Sequence, residues 1–312
     1  MIIAVVGPTA SGKTSVSLEL AEFLGGPSRV EIISADAMQL YRGLDIGTAK
    51  LPLAQRHGIH HHQIDELDIA EEASVAAYQK HARQDLASIT AAGKIPLVVG
   101  GSGLYVSALL DELQFPGTDP GLRAVITEEA RSDYPRLLRE LEERDPEAYA
   151  TIDTRNERRV IRALEVIRLT GKPYTPRFPR HTSHYEDVHI FAIHREITDL
   201  HAAINARVDE MMREGLLEET ADLLRRGLRE APTASRATGY PQAMAILDGS
   251  LSLSEGTEEI RIATRKLARR QRSWFRADPR ITWLEADADT PVQLASRILE
   301  DLTEECEECP CH

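Results

Sequence analysis

The stretch Ile2-Ile-Ala-Val-Val-Gly7-Pro-Thr-Ala-Ser-Gly12-Lys13-Thr14 decides the fold class. Its five leading apolar residues suit a short buried strand. The eight that follow fit G-x-x-x-x-G-K-[ST], and Thr14–Leu24 has helical spacing that stops at Gly25-Gly26-Pro27. A strand, a glycine-bearing loop and a helix start are what a phosphate cradle requires. The loop lets backbone N–H groups converge on anionic oxygens, and the helix N-terminus adds partial positive charge. Gly7, Pro8, Thr9, Ala10, Ser11, Gly12, Lys13 and Thr14 are therefore expected to hold a diphosphate or triphosphate. Lys13 would act as a mobile point charge and the Thr14 hydroxyl as a Mg²⁺ ligand.

Outward from this motif, Val30–Ser34, Ile95–Val99, Val188–Ile193 and Ile281–Leu284 read as further strands, with a helix over Ser74–Ala92. Strands alternating with helices predict an α/β fold: a P-loop NTPase-like parallel sheet flanked by helices. After Phe115-Pro116-Gly117 the texture turns helical and charged to about residue 180. This predicts a helical insertion domain over 116–184 within a core of 1–115 and 185–312. Long helices are expected over Thr198–Arg226 and Ser254–Arg276, and a frayed acidic tail over Glu300–Glu308.

Composition narrows the function classes. Apolar residues make up 42% of the 312, enough for a sizeable core. No run of about 18 apolar residues occurs, so no membrane span is expected. With no secretory leader in view and Cys306, Cys309 and Cys311 crowded at the end, a cytoplasmic setting is expected. No heptad pattern demands association, so a monomer is expected. The net charge of −13 argues by itself against a nucleic-acid partner. Its distribution argues the other way. Arg155–Arg180 holds eight basic residues and two acids, and Arg261–Arg276 seven and none. Arg261, Arg265, Arg269, Arg272 and Arg276 recur at helical spacing and would share one face able to hold RNA.

Asp36 follows the second strand and should lie beyond the carboxyl ends of the sheet, near the phosphate loop. It could hold Mg²⁺, take a proton from a nucleophile, or simply cap a turn. The Ile95–Val99 strand ends in Gly100-Gly101-Ser102-Gly103 without the Asp that a nucleotide hydrolase uses to organise Mg²⁺. His57, His60, His61 and His62 are read as structural, since adjacent histidines point apart. The terminal Cys306-x-x-Cys309-x-Cys311-His312 reads as an oxidisable tail, with a metal clip as the alternative.

Several segments together resemble the tRNA dimethylallyltransferase family. They are Gly7–Thr14, Ser34–Lys50, Gly100–Tyr105, Asn156–Glu165, Arg207 within Ile204–Met211, Gly239-Tyr240 and Thr264–Arg276. They span the chain in the family's order, and Ser34–Lys50 is the distinguishing one. The resemblance implies dimethylallyl diphosphate as donor, the N6 amine of the tRNA adenosine just 3′ of the anticodon as acceptor, and Mg²⁺. It implies Asp36 as the base and Lys13, Ser102 and Arg207 as donors to the leaving diphosphate. Its tRNA contacts fall on Asp36, Ala37, Met38, Gln39, Ser102, Arg123, Arg158, Arg159, Val160, Ile161, Arg162, Arg236, Ala237, Thr238, Gly239, Tyr240 and Pro241. Three positions depart from the family pattern: Ser102 replaces a usual Thr, Pro241 a common Lys or Arg, and His60 a usual Pro. Two other readings use the same residues. One is a small-molecule adenylate isopentenyltransferase or nucleotide kinase, which has no use for the insert or the Arg261–Arg276 face. The other is a non-catalytic RNA-binding protein, which leaves Asp36 and Ser102 beside Lys13 without a purpose.

Overall fold

Continuous apolar runs suit strands covered on both faces, the condition of a parallel sheet. The computed structural model, which describes residues 1–174, 181–287 and 289–307, places them so. Strands β1 (Ile2–Val6), β2 (Val30–Ser34), β3 (His61–His62), β4 (Ile95–Gly100), β5 (Val188–His194) and β6 (Ile281–Glu285) form one parallel sheet. Its order is β3-β2-β4-β1-β5-β6. Every residue of β1 is buried. The chain runs from β1 toward β2 on one side and β5 lies on the other. The carboxyl end of β1 therefore opens into the crevice where ligands of such sheets bind.

Helices cover the sheet: α1 (Lys13–Phe23), α2 (Val75–Ala91) and α3 (Gly103–Leu110) in the first half. Three others, α4 (Pro120–Arg144), α5 (Pro146–Thr151) and α6 (Glu157–Thr170), belong to a second unit. The rest are α7 (Ile197–Glu214), α8 (Leu216–Arg225), α9 (Tyr240–Leu247), α10 (Leu253–Phe275) and α11 (Pro291–Glu307). Local chemistry sets their ends. Ser74 accepts the Ala77 amide at the start of α2, and Ser252 and Glu255 form a reciprocal capping box on α10. The helix expected over Thr198–Arg226 is two helices, because Gly215 adopts φ 102° and ends α7. The tail expected to fray is helical to Glu307: Leu294, Ala295, Ile298 and Leu302 pack with Leu18, Leu20 and Ala21 of α1 in one core cluster. Glu308, Cys309, Cys311 and His312 lie outside the described residues, as do Arg177 and Arg180 of the basic stretch.

His60 and His62 meet edge to face, with ring centroids 4.3 Å apart. His61 gives Nδ1 to the Ile59 carbonyl at 2.9 Å, and burial pulls its pKa down to about 4. His62 lies 2.7 Å from Glu31 and 3.6 Å from Asp85. Burial opposes its charge, but the two carboxylates outweigh burial and raise its pKa. His57 meets Glu22.

Glu112–Thr182 forms a second compact unit, the first being Met1–Asp111 with Ser183–His312. It comprises α4 (Pro120–Arg144), α5 (Pro146–Thr151) and α6 (Glu157–Thr170) around Ile126, Leu137, Leu141, Val160, Ala163 and Leu164. Helix α4 breaks at Asp133, whose carboxylate accepts the Arg136 amide and restarts the helix with Pro135 in its first turn. Glu165 is wholly buried and accepts from the Asp119 amide, Arg123 and Arg162. Burial pushes this carboxyl up, yet Arg162, the Asp119 amide and Arg123 together hold it below its ordinary value. Its stabilising share is thus present above the unfolded carboxylate pKa and is lost as pH falls through the lower, folded one. Glu165→Leu is expected to destabilise this unit by about 3 kcal/mol, since two cations lose a buried partner. Amide hydrogen exchange across α4 and α6 at neutral pH checks it, and unchanged protection there would refute it.

Candidate active site

The phosphate loop depends on backbone shapes that only some residues accept. Gly12 enters α1 at φ 94°, a left-handed conformation that a side chain would penalise. Ala10, with φ 63°, takes the same region without that licence. The loop borders a cavity of about 460 Å³, inside the usual range for small-ligand sites. Its wall includes Thr9, Ala10, Gly12, Lys13 and Thr14 from the loop, Asp36, Met38 and Gln39 after β2, and Ile46–Ala49. From farther along the chain come Arg207 and Met211 of α7, Ala237 and Thr238, and Leu267 and Gln271 of α10. Cationic and anionic groups thus meet beside an apolar patch of Met38, Ile46, Met211 and Leu267.

Among the described residues Lys13 and Arg207 form no ion pair, and Lys13 Nζ donates to the Pro8 carbonyl at 3.3 Å. Burial lowers its pKa to about 8, with repulsion from Arg207 adding to this and attraction to Asp36 opposing it. Arg207 donates Nη1 to Thr9 Oγ1 at 3.2 Å, while its buried Nε has no hydrogen-bond partner among the described residues. An unsatisfied guanidinium nitrogen beside a desolvated ammonium is the donor set of an anion site. A pH dependence follows. The unliganded lysine loses its proton as pH rises through about 8. The share of inorganic pyrophosphate affinity that depends on Lys13 should therefore be full below that pH and fade above it. Calorimetric titrations of the protein and of Lys13→Met from pH 7 to about 9.5 check this; parallel profiles for the two would refute it.

Asp36 stands half-buried on the cavity wall, one carboxylate oxygen accepting the Met38 amide at 3.0 Å. The segment after it is tied down at each step. Ser102 Oγ accepts the Ala37 amide at 3.2 Å, Ser34 donates to Gln39 Oε1, and Gln39 Nε2 donates to the Thr48 carbonyl. For Mg²⁺ the oxygen chemistry fits: the Thr14 hydroxyl and the Asp36 carboxylate border one cavity, and a hard cation keeping most of its waters needs few protein ligands.

Lys13, Thr14, Asp36 and Arg207 line one cavity. Ser102 is not among the residues lining the cavity; its hydroxyl accepts the Ala37 amide, which steadies the loop that carries Asp36, and keeps its own O–H to donate. Among residues expected to touch RNA, Val160, Ile161, Ala237 and Tyr240 are buried and belong to core clusters, and Ala237 also borders the cavity. The Tyr240 hydroxyl donates to Glu219 at 2.6 Å, and burial pushes its pKa strongly up. Gly239 is buried with it, while Thr238 borders the cavity. Arg123 and Arg162 bind Glu165, and Arg168 binds Glu129 and Glu140. Arg158, Arg159, Arg236 and Pro241 are exposed. Pro241 lies in the first turn of α9, where the missing N–H costs nothing, which accounts for a proline at that position. On α10, Arg261 pairs with Asp209 and Glu258, and Arg265 with Glu258 and Asn205. Arg269 and Arg276 are exposed and Arg272 half-exposed. The open basic face is therefore the C-terminal half of that helix.

Two residues escaped the sequence reading. Glu219 accepts the amides of Asp45, Ile46 and Gly47, fixing a wall of the cavity. Gln271, hidden among arginines, accepts the Thr9 amide at 2.8 Å. Neither pairing has a signature, because each joins distant segments through the backbone of a loop.

The family model described as IPP transferase matches residues 39–278. A tRNA dimethylallyltransferase of Mycobacterium sp. (strain KMS) is 48% identical over 296 residues, covering 95% of this chain and 97% of the relative. That of Streptomyces coelicolor is 48% identical over 303 residues, with 96% of each covered. The crystal structure of a full-length tRNA isopentenylpyrophosphate transferase from Bacillus halodurans superposes with a TM-score of 0.70 at 36% identity, covering 98% of both chains. The chain belongs to the IPP transferase family.

Proposed function

We propose that the protein transfers a dimethylallyl group from dimethylallyl diphosphate to the N6 amine of the tRNA adenosine immediately 3′ of the anticodon, releasing diphosphate. The observation that carries this is a carboxylate, Asp36, sharing one cavity with Lys13 and Arg207 over a phosphate loop. Near full-length identity of about half to proteins named for this reaction supports it.

Each residue then has work that its place permits. An adenine amine is a poor nucleophile because its lone pair is delocalised into the ring. Asp36 takes the N6 proton as the C–N bond forms, which removes the developing positive charge. The allylic C–O bond breaks with its electron pair leaving on the diphosphate. Lys13, Arg207 and the loop amides meet that growing anion with donors already in place. The Thr14 hydroxyl would hold a Mg²⁺ ion, which when bound would supply positive charge for the leaving group. The apolar patch of Met38, Ile46, Met211 and Leu267 receives the prenyl tail and keeps water from it. The acceptor base has to leave its stack, which a loop nucleotide can do at small cost. The exposed arginines Arg158, Arg159, Arg236, Arg269 and Arg276 supply phosphate contacts that overcome the acidic total charge. None of the helices among the described residues is long and apolar enough to cross a membrane. We place the enzyme in the cytoplasm, working as a monomer.

The test supplies Mg²⁺, dimethylallyl diphosphate and unmodified tRNA, with AMP and ATP as parallel acceptors, and reads prenylated adenosine by mass spectrometry of digested RNA. Product on tRNA is expected. Product on a free nucleotide alone, or phosphate transfer from ATP, would overturn the proposal.

A further inference from the structure

A buried polar side chain costs free energy unless its hydrogen bonds are met. Helix α10 buries Gly256, Ile260, Thr264, Ala268, Gln271 and Phe275. Gln271 is the one long polar residue in that row, with 8% of its surface exposed. Its carbonyl accepts the Thr9 amide at 2.8 Å, across the whole length of the chain. Its amide nitrogen rests 2.5 Å from where a Cβ on Gly101 would lie, so only a glycine there leaves it room.

Thr9 is gripped from its other side as well. Its hydroxyl accepts Arg207 Nη1 at 3.2 Å. The next residue, Ala10, holds a left-handed φ that an alanine keeps only where its surroundings enforce it. The enforcement is visible on both flanks: Gln271 holds the Thr9 amide, and Arg195 Nε donates to the Ser11 carbonyl at 3.1 Å. Gln271, Thr9 and Arg207 thus form a continuous relay from α10 through the phosphate loop to α7.

We propose that Gln271 is a positioning residue for prenyl transfer: by fixing Thr9 it sets the Arg207 guanidinium against the departing diphosphate. This rests on the reading of the Lys13–Arg207 cavity as the diphosphate site. The Gln271 carbonyl is taken up by the Thr9 amide. Its effect passes through Thr9 and is felt as charge builds on the leaving group, so it falls on kcat more than on the KM for tRNA.

A double-mutant cycle tests the relay. Gln271→Met keeps the length and the packing but not the acceptor, and Gln271→Asn keeps the amide but is too short to reach Thr9. Each is made alone and with Thr9→Val, which removes the hydroxyl that holds Arg207. Alone, either variant is expected to lower single-turnover transfer about 10-fold, with the KM for tRNA within about two-fold. In the Thr9→Val background the further loss should shrink to about two-fold or less. Equal losses in both backgrounds would overturn the relay. So would a rise in the KM for tRNA with kcat unchanged, which would make Gln271 part of RNA docking. If Gln271→Met melts early, the Asn variant carries the same comparison. Wild-type protein that transfers no prenyl group to tRNA would fail the underlying reading rather than the relay.

Discussion

Asp36→Asn is expected to lower the single-turnover rate of prenyl transfer about 10³-fold, within the span usual for loss of a general base. The replacement is isosteric and keeps an oxygen for the Met38 amide, so the loop should hold its shape. What it loses is the ability to take a proton from the N6 amine as the bond to carbon forms. Binding of tRNA, measured by filter retention at fixed salt, should stay within about two-fold, because an uncharged amide repels phosphates less than a carboxylate does. If binding collapsed together with rate, Asp36 would be an anchor for the RNA and the proton would need another acceptor.

Gly100→Ala is expected to be nearly as damaging by a different route. The end of β4 passes so close to the turn after β2 that a Cβ on Gly100 would lie 2.3 Å from the Ala35 carbonyl oxygen. Neither side can yield easily. Ala35 gives its amide to Val99 at 2.8 Å, and its carbonyl accepts the Ser102 amide at 3.1 Å. The added methyl must push apart two strand ends, one of which leads directly into Asp36. Overpacking of this kind costs about 2–3 kcal/mol. A displacement of the base by about 1 Å would cost on the order of 10²-fold in rate. Urea unfolding and single-turnover kinetics measure the two effects separately. A stability loss without a rate loss would mean that the Ala35–Asp36 turn tolerates movement.

This crowding explains something the sequence could show only as an absence. The strand over Ile95–Val99 visibly lacked a terminal carboxylate. What it carried instead, a run of glycines, makes sense only when Ala35 is seen lying across it. The central strands and the first helix were legible because apolar runs and a phosphate loop each have one physical interpretation. The short helices α3 and α9 were not, since their apolar segments could equally have been loop or strand. Helix α11 was hidden because its acidic face dominates the composition while a thin apolar row does the packing. Lys13 and Asp36 could be placed by position along strand ends. Arg207 came only from the resemblance, because nothing local to α7 points it at a loop nearly 200 residues earlier. Val160, Ile161 and Tyr240 sit inside motifs whose neighbours are exposed, and a motif does not distinguish the residue that faces a ligand from the one that supports it.

Strand β3 is only two residues long, and His62 secures it to Glu31 and Asp85. On that side the sheet ends in a stub. A foreign chain looking for a ladder of open amides and carbonyls would find room for barely one rung, and the two histidines that make up the strand give no flat apolar strip to settle on. A sheet that must keep its carboxyl ends open for a large substrate is thereby guarded at one margin against strand addition, the association that most readily turns parallel sheets into aggregates.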